Sequence, residues 1–450
     1  MKIIQSYWTK PMLKGTNWSD FDYHLTTWAL SCLRLKKYYS EVSLYTDNLG
    51  KDILFDILKL PYSSVFLDLN DIQSVNSAIW AWGKLHTYSL QEDPFIHVDG
   101  DVIISEKLPF DSEGLVAQHI EKGFEHNKKF LSILVKEGYV FPKQIVYKGD
   151  VAEVNAGILG GNDITFFKEY TCTAKKFLIE NGDRINKINI TQCAAFNTIL
   201  EQYFFYSLAK KAYKRIHVLF PEGYIHDDYI QLVNFRNRDR IGYIHPVGYL
   251  KTNAFYGEKI SEIFYNEYPS EFNLFQKRKR DIYELYGIKD RILTGVQKKH
   301  LQFLNSHFNG KEIVEKIRRY CLSSRLNEYK NEDMIMVNPY IKIWQEETGS
   351  WKMLVPSILS LPNDIKLITI NLGVLGKFMY NLSLQYKNNT FSACEIINSL
   401  GDLSDCNKVK IFVALQQLLN MHALVRIEAE TEKPAMSKYN PLNYSEKWKI

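Results

Sequence analysis

Up to about residue 250, apolar runs of strand length alternate with amphipathic stretches of helical period. Lys2–Tyr7 reads as a strand and Asp20–Lys37 as a helix with Leu25, Trp28, Ala29, Cys32 and Leu33 among its apolar positions. Glu41–Thr46 and Ser64–Leu69 follow as strands, Ile79–Gln91 as a helix, and Pro94–Ile104 holds a short buried strand. Glu153–Gly160 is a further strand, followed by helices over about Ile164–Glu180 and Ile190–Lys211, a strand at His217–Phe220 and a last segment ending near Thr252. Such alternation predicts an α/β domain with a largely parallel sheet. In these sheets ligands bind beyond the carboxyl ends of the strands, so polar residues there are the first candidates for chemistry.

After Phe275 the texture changes. The run Gln276-Lys277-Arg278-Lys279-Arg280 reads as a solvated helix start or linker in preference to a phosphate- or membrane-binding patch, and helical periodicity continues to about Tyr329. From Met334 to Val425 the pattern is different again. Pro339–Gln345 and Trp351–Val355 are strands joined by a Glu346–Ser350 turn, and Lys366–Asn371 is a third strand. Three helices follow: Leu372–Tyr386, Phe391–Leu400 after a Thr390 cap, and Asn407–His422 after a Ser404/Asp405 cap. The expected organisation is an α/β domain over 1–270, a helical linker over 271–333, a small α+β domain over 334–430 and a tail over 431–450.

Composition narrows the class without deciding it. Of 450 residues, 46% are hydrophobic and 24% charged, the balance of an ordinary globular chain. Lys and Arg exceed Asp and Glu by 56 to 51, too weak an excess over so large a surface to point to nucleic acid. Six widely separated cysteines (32, 172, 193, 321, 394 and 406) form no CxxC pair, which argues against a disulfide framework or a zinc knuckle. No stretch reaches the length of about 18 apolar residues that spans a bilayer, and no apolar segment of signal-peptide type follows Met1. The expectation is a soluble, cytoplasmic protein.

Three short motifs carry candidate chemistry. In Phe95–Ile103 an apolar strand runs into Asp99-Gly100-Asp101. Residues two apart on an extended chain face the same side, so both carboxylates can meet one Mg²⁺ or Mn²⁺, and Gly100 leaves room for a ligand to approach. A solvated turn would have the same sequence. In His245-Pro246-Val247-Gly248-Tyr249-Leu250-Lys251, the imidazole offers a further ligand that favours Mn²⁺, Gly248 a close amide and Lys251 a counter-charge for a diphosphate. Taken alone, the histidine reads better as a core histidine beside a turn. In Asn155-Ala156-Gly157-Ile158-Leu159-Gly160-Gly161, the glycines let a sugar lie against backbone and Asn155 offers donor and acceptor groups to hydroxyls, unless the glycines only mark turns.

In order and spacing, Gly83-Lys84-Leu85-His86, Asp99-Gly100-Asp101, Asn155-Ala156-Gly157 and His245-x-x-Gly248-x-x-Lys251 resemble the glycogenin-like glycosyltransferases of the GT-A, Rossmann-like fold (family eight) over about residues 1–260. The resemblance implies Mn²⁺ or Mg²⁺ on Asp99, Asp101 and His245, and a UDP-linked sugar donor. Its diphosphate would be held by Gly248 and Lys251, with Lys84 on phosphate or sugar and Tyr7 or Trp8 beside the nucleobase. One departure is visible. The family's Asp-Gln pair corresponds here to Thr191-Gln192, with Asn197 one residue late, so the catalytic role passes to Gln192 or to Glu201, an ordinary helix-surface carboxylate on the alternative reading.

The order of elements in 334–425 is similar to PqqD-like winged-helix domains, which recognise leader peptides of ribosomally made, modified peptides. Within 338–426, eight Lys/Arg stand against six Asp/Glu, a poor footprint for DNA. The expected function is metal-dependent transfer of a sugar to a peptide side chain recognised by the C-terminal domain. The alternatives are transfer to a surface polysaccharide or lipid-linked glycan, with that domain forming a homodimer, and a non-catalytic binding protein.

Overall fold

The computed structural model describes residues 1–110, 114–122, 125–145, 152–188, 190–225, 242–286, 293–326, 330, 332–386, 389–401 and 404–427. The expected tail, 431–450, lies outside them. The chain groups into two compact units, 1–252 with 277–288 and 253–276 with 289–450. Residues 253–270, expected in the first domain, thus group with the second unit.

The first unit contains β1 (Lys2–Tyr7), α1 (Phe21–Tyr38), β2 (Val42–Thr46), β3 (Ser64–Phe66), α2 (Ala81–Ser89), β4 (Phe95–Val98), β5 (Ile103–Ile104), β6 (Leu115–Lys122), α3 (Glu125–Lys136), β7 (Ala152–Gly161), α4 (Ile164–Glu180), α5 (Ile190–Thr198), α6 (Phe204–Lys211), β8 (Ile216–Ile225) and β9 (Tyr243–Ile244). Seven strands form one sheet in the order β3-β2-β1-β4-β7-β6-β8. β1, β2, β3 and β4 run parallel, β7 is antiparallel to both neighbours, and β6 pairs parallel with β8. The fold is α/β, as the alternation predicts. Sequence periodicity did not reveal β6, and Ser64–Leu69 shortens to β3 before a 3₁₀ turn.

Helix α1 starts where Asp20 accepts the Asp22 N–H, as an N-cap should. An aromatic core of Tyr88, Phe95, Phe167, Phe177, Phe196, Phe204 and Phe205 fixes α2, α4, α5 and α6 about the sheet. The stretch 190–211 is not one regular helix. A π-helical turn, Ile199–Tyr203, separates α5 from α6.

The second unit holds α7 (Ala254–Glu267), the first part of α8 (Pro269–Tyr286), α9 (Gly295–His307), α10 (Gly310–Leu326), β10 (Ile335–Val337), β11 (Lys342–Gln345), β12 (Trp351–Pro356), β13 (Leu367–Asn371), α11 (Gly376–Gln385), β14 (Thr390–Phe391), α12 (Ala393–Ser399), α13 (Asp405–Asn420) and β15 (Leu424–Arg426). The expected hairpin forms, with β11, β12 and β13 as an antiparallel meander. A second sheet, β14-β10-β15, was not foreseen. Thr390 lies in β14, and the cap of α12 is Ser392, in a reciprocal capping box with Glu395. The run 276–280 lies inside α8 instead of starting a helix, with Lys277 and Arg280 exposed. In the first unit Lys279 is buried against Asp22, Nζ to Oδ2 2.6 Å, and Arg278 donates to the Leu58 carbonyl at 3.0 Å. No helix among the described residues is long and apolar enough to cross a membrane.

Candidate functional site

Parallel strands place their carboxyl ends together, and β4 ends at Val98 with Asp99 directly beyond it. The Asp99 N–H donates to the Gly157 carbonyl at 2.8 Å, which fixes the aspartate against β7. Opposite, β9 pairs with β5 and delivers His245 at its exit. Ligand atoms of Asp99, Asp101 and His245 all lie within 4.8 Å of one another. His245 Nε2 is 3.5 Å from Asp101 Oδ1. The sequence therefore brings together residues 145 or so positions apart, as its motifs require.

The imidazole is oriented from behind. Its Nδ1 lies 2.9 Å from the buried Gln118 amide oxygen, which can only accept, so Nδ1 carries the proton and Nε2 presents a lone pair toward Asp101. Gln118 reaches this place through an irregularity in the sheet: between the β6–β7 pairs Ala117↔Leu159 and His119↔Asn155, two steps on β6 face four on β7. The surplus residues surround Gly157, where a β-carbon would stand 2.4 Å from His245 Cε1 and 2.5 Å from Gln118 Oε1. Side chains satisfy the amides this bulge frees. Ala156 donates to Gln202 Oε1 and Gly157 to Asn155 Oδ1, each at 3.0 Å.

Two lysines complete the cluster. Lys251, in a 3₁₀ turn that begins at Gly248 (φ +50°), pairs with Asp101. Lys84 on α2 lies 2.8 Å from Asp99 Oδ2 and 3.2 Å from Glu201 Oε1. Burial alone would lower Lys84, but Asp99 and Glu201 outweigh it and raise the ammonium above its ordinary value. Burial pushes Asp99 up to about 6, opposed by Lys84 and assisted by Asp101. Asp101 goes the other way: although burial opposes it, Lys251 and His245 hold it well below the usual carboxylate range. The pair thus differs sharply in basicity.

Glu201 is not on a helix surface. It is 2% exposed, accepts from the Tyr88 hydroxyl at 3.1 Å, and is raised by burial. The π-helical turn directs it inward, with its backbone carbonyl bonded to the Tyr170 hydroxyl at 2.6 Å. Asn197 is structural: it accepts from the Ala81 N–H at the start of α2 and donates to the Ala78 and Cys193 carbonyls. The side chain of Gln192 lies outside the described residues.

Residues 1–277 match a family described as a family of unknown function, DUF6734. The chain belongs to that family. Every residue of the cluster falls within the span that matches DUF6734. No curated protein matches. Among solved structures, the galactosyltransferase LgtC in complex with donor and acceptor sugar analogues is 12% identical with a TM-score of 0.30, covering 55% of this chain and 87% of its own. Mouse xyloside xylosyltransferase 1 in its apo form is 9% identical with a TM-score of 0.27, covering 56% and 95%.

The remaining sequence candidates of this DUF6734 chain surround the cluster in different ways. Gly100 is required by packing and not by an approaching ligand: a β-carbon there would lie 2.2 Å from the Trp28 ring. Both ends of the Asn155 amide bond internally, to the Gly157 N–H and to Glu121 Oε1 at 2.8 Å, instead of standing free for hydroxyls. Tyr7 is buried against Trp28, ring centroids 4.6 Å apart, with its hydroxyl 3.2 Å from His24 Nε2. Trp8 is also buried and packs on Gly83, where a β-carbon would stand 3.0 Å from it. Gln118, Tyr88 and Trp28 were not singled out in the sequence. The bulge gives Gln118 its role, the bond to Glu201 gives Tyr88 its role, and the contact with Gly100 gives Trp28 its role.

Proposed function

We propose that this chain is a metal-dependent glycosyltransferase of GT-A type that uses a UDP-linked sugar. The observation that carries the reading is the convergence of Asp99, Asp101 and the lone pair of His245 Nε2, flanked by Lys84 and Lys251. Two carboxylate oxygens and one oriented imidazole nitrogen suit Mn²⁺ or Mg²⁺. Such an ion, when bound, supplies positive charge to a departing nucleoside diphosphate. The residues of the chain do the rest. Lys251 neutralises diphosphate oxygens, the Gly248 turn gives them close access to backbone, and Lys84 stabilises charge at the donor phosphate or sugar. Glu201 and Tyr88 hold Lys84 in position; Glu201, buried and already paired, orients the ammonium and does not take the acceptor proton. Tyr7 or Trp8, both buried at the end of β1, borders the nucleobase.

The acceptor in this reading is a peptide side chain recognised by the C-terminal region, a winged-helix module of PqqD-like type. Support comes from the β11-β12-β13 meander, whose edge strand β11 pairs with β12 alone among the described residues and leaves Ile343 and Trp344 half-buried. An extended peptide can add to such an edge.

The test is hydrolysis of UDP-sugars by the full chain with and without Mn²⁺. Metal-dependent release of UDP that Asp101→Ala abolishes is the expected result. Absence of metal-dependent turnover with every UDP-sugar, or an unchanged Asp101→Ala variant, overturns the proposal.

A further inference from the structure

Away from that cluster, the second unit buries another group of metal-ligand side chains. Glu262 on α7, Cys321 on α10 and His422, just before β15, place ligand atoms within 4.8 Å of one another. They are 5%, 1% and 8% exposed. His422 Nε2 lies 2.7 Å from Glu262 Oε1 and 3.8 Å from Cys321 Sγ. In tetrahedral zinc coordination the nitrogen–sulfur edge is about 3.6 Å, close to the observed 3.8 Å, and the nitrogen–oxygen edge about 3.3 Å, so the 2.7 Å hydrogen bond between His422 and Glu262 would open by about 0.6 Å on binding.

A second observation concerns the ring nitrogen itself. Lys259 Nζ approaches the same Nε2 at 3.3 Å and the two Glu262 oxygens at 2.9 and 2.7 Å. One imidazole nitrogen makes one in-plane hydrogen bond: it needs a proton for Glu262 and a lone pair for Lys259. Both cannot be satisfied together. A cation at this point satisfies the nitrogen, the carboxylate and the sulfur at once, and the Lys259 ammonium marks where positive charge is already favoured. His422 is held in its left-handed conformation (φ +55°) by Asn338, whose amide donates to its carbonyl at 2.8 Å. A small cleft lined by Phe255, Lys259, Glu262, Pro356, Met421 and His422 leads to the group.

We infer that Glu262, Cys321 and His422 form a binding site for Zn²⁺ in the second unit. The nitrogen, sulfur and oxygen set suits a borderline-soft ion, unlike the harder set of Asp99, Asp101 and His245. Binding converts the Cys321 thiol to a zinc-bound thiolate, with its proton released to solvent, and displaces the Lys259 ammonium from Glu262 toward the Phe255 ring, which it already overlies at 5.8 Å. The ion would tie α7, α10 and the approach to β15 together. This inference is independent of the glycosyltransferase reading.

Cobalt substitution in the full chain tests it, because only a thiolate ligand gives an intense near-ultraviolet charge-transfer band, and the Asp99 cluster contains no sulfur. The expected result is one equivalent of Co²⁺ with that band, displaced by Zn²⁺, abolished in Cys321→Ser, unchanged in Cys172→Ser and at least tenfold weaker in His422→Gln. Lys259→Met should bind at least tenfold more tightly, since it removes the competing ammonium. No band at saturating cobalt, or a band that survives in Cys321→Ser, overturns the site. X-ray absorption of the zinc-loaded wild type guards against variants that fail to fold: a shell with one sulfur supports the assignment, and a shell without sulfur refutes it.

Discussion

Gly157 faces His245 so closely that a β-carbon would come within 2.4 Å of its Cε1. Neither neighbour can withdraw without cost, since His245 is held by Gln118 and Gln118 by the interior of the sheet. Gly157→Ala should therefore displace the imidazole, weaken Mn²⁺ binding at least tenfold and destabilise the fold by about 1–3 kcal/mol through overpacking. Manganese titration by electron paramagnetic resonance and a denaturant melt measure the two effects separately.

Gln118→Ala tests orientation without overcrowding. With no acceptor for Nδ1–H, the ring can rotate or change tautomer, and Nε2 no longer points dependably at Asp101. Loss of an outer-sphere partner of this kind weakens metal binding about 10–100-fold. Circular dichroism should be unchanged, and an unchanged manganese affinity would remove Gln118 from the site.

Lys84 is the counter-charge of two carboxylates at once. Lys84→Met leaves Asp99 and Glu201 without it, and breaking a buried pair in this way costs about 3 kcal/mol. Adding Glu201→Gln should recover part of that stability while leaving activity low, because the lysine that meets the donor is still missing. A double-mutant cycle on melting temperature and turnover reads both expectations.

His24 gives a pH signature. Burial pushes it down to about 4, with Lys251 adding to the shift and Asp101 opposing it. In the unfolded chain the ring titrates near 6.5. Acid therefore protonates the unfolded chain first, and this contribution to stability, complete above about pH 6.5, is lost as pH falls toward 4. Urea midpoints at pH 7, 5.5 and 4.5 should fall more steeply for wild type than for His24→Phe, and parallel slopes would contradict the assignment.

What was legible in the sequence were features carried by neighbouring residues. Asp99 and Asp101 announce themselves as two carboxylates at a strand end, although the chain turns there, the Val102 N–H donating to the Asp99 carbonyl at 3.0 Å, instead of staying extended. His245, Gly248 and Lys251 announce themselves by their close spacing. Gln118 was invisible for the opposite reason: its partner is 127 positions away, and its direction depends on a mismatch of steps between β6 and β7. Gly100 was legible as a glycine but not for its cause, the Trp28 ring. The basic run at 276–280 reads as solvated, which Lys277 and Arg280 are, whereas Lys279 finds Asp22.

The wide turn at Ile199–Tyr203 sets a phase. One residue more or fewer in a helix rotates all that follows by about 100°. Deleting a single residue upstream of Glu201 inside that turn would let α5 and α6 fuse into a continuous helix. It would also swing the carboxylate off Lys84, although no residue touching the donor had been altered. The length of this segment, and not only its chemistry, is therefore under constraint.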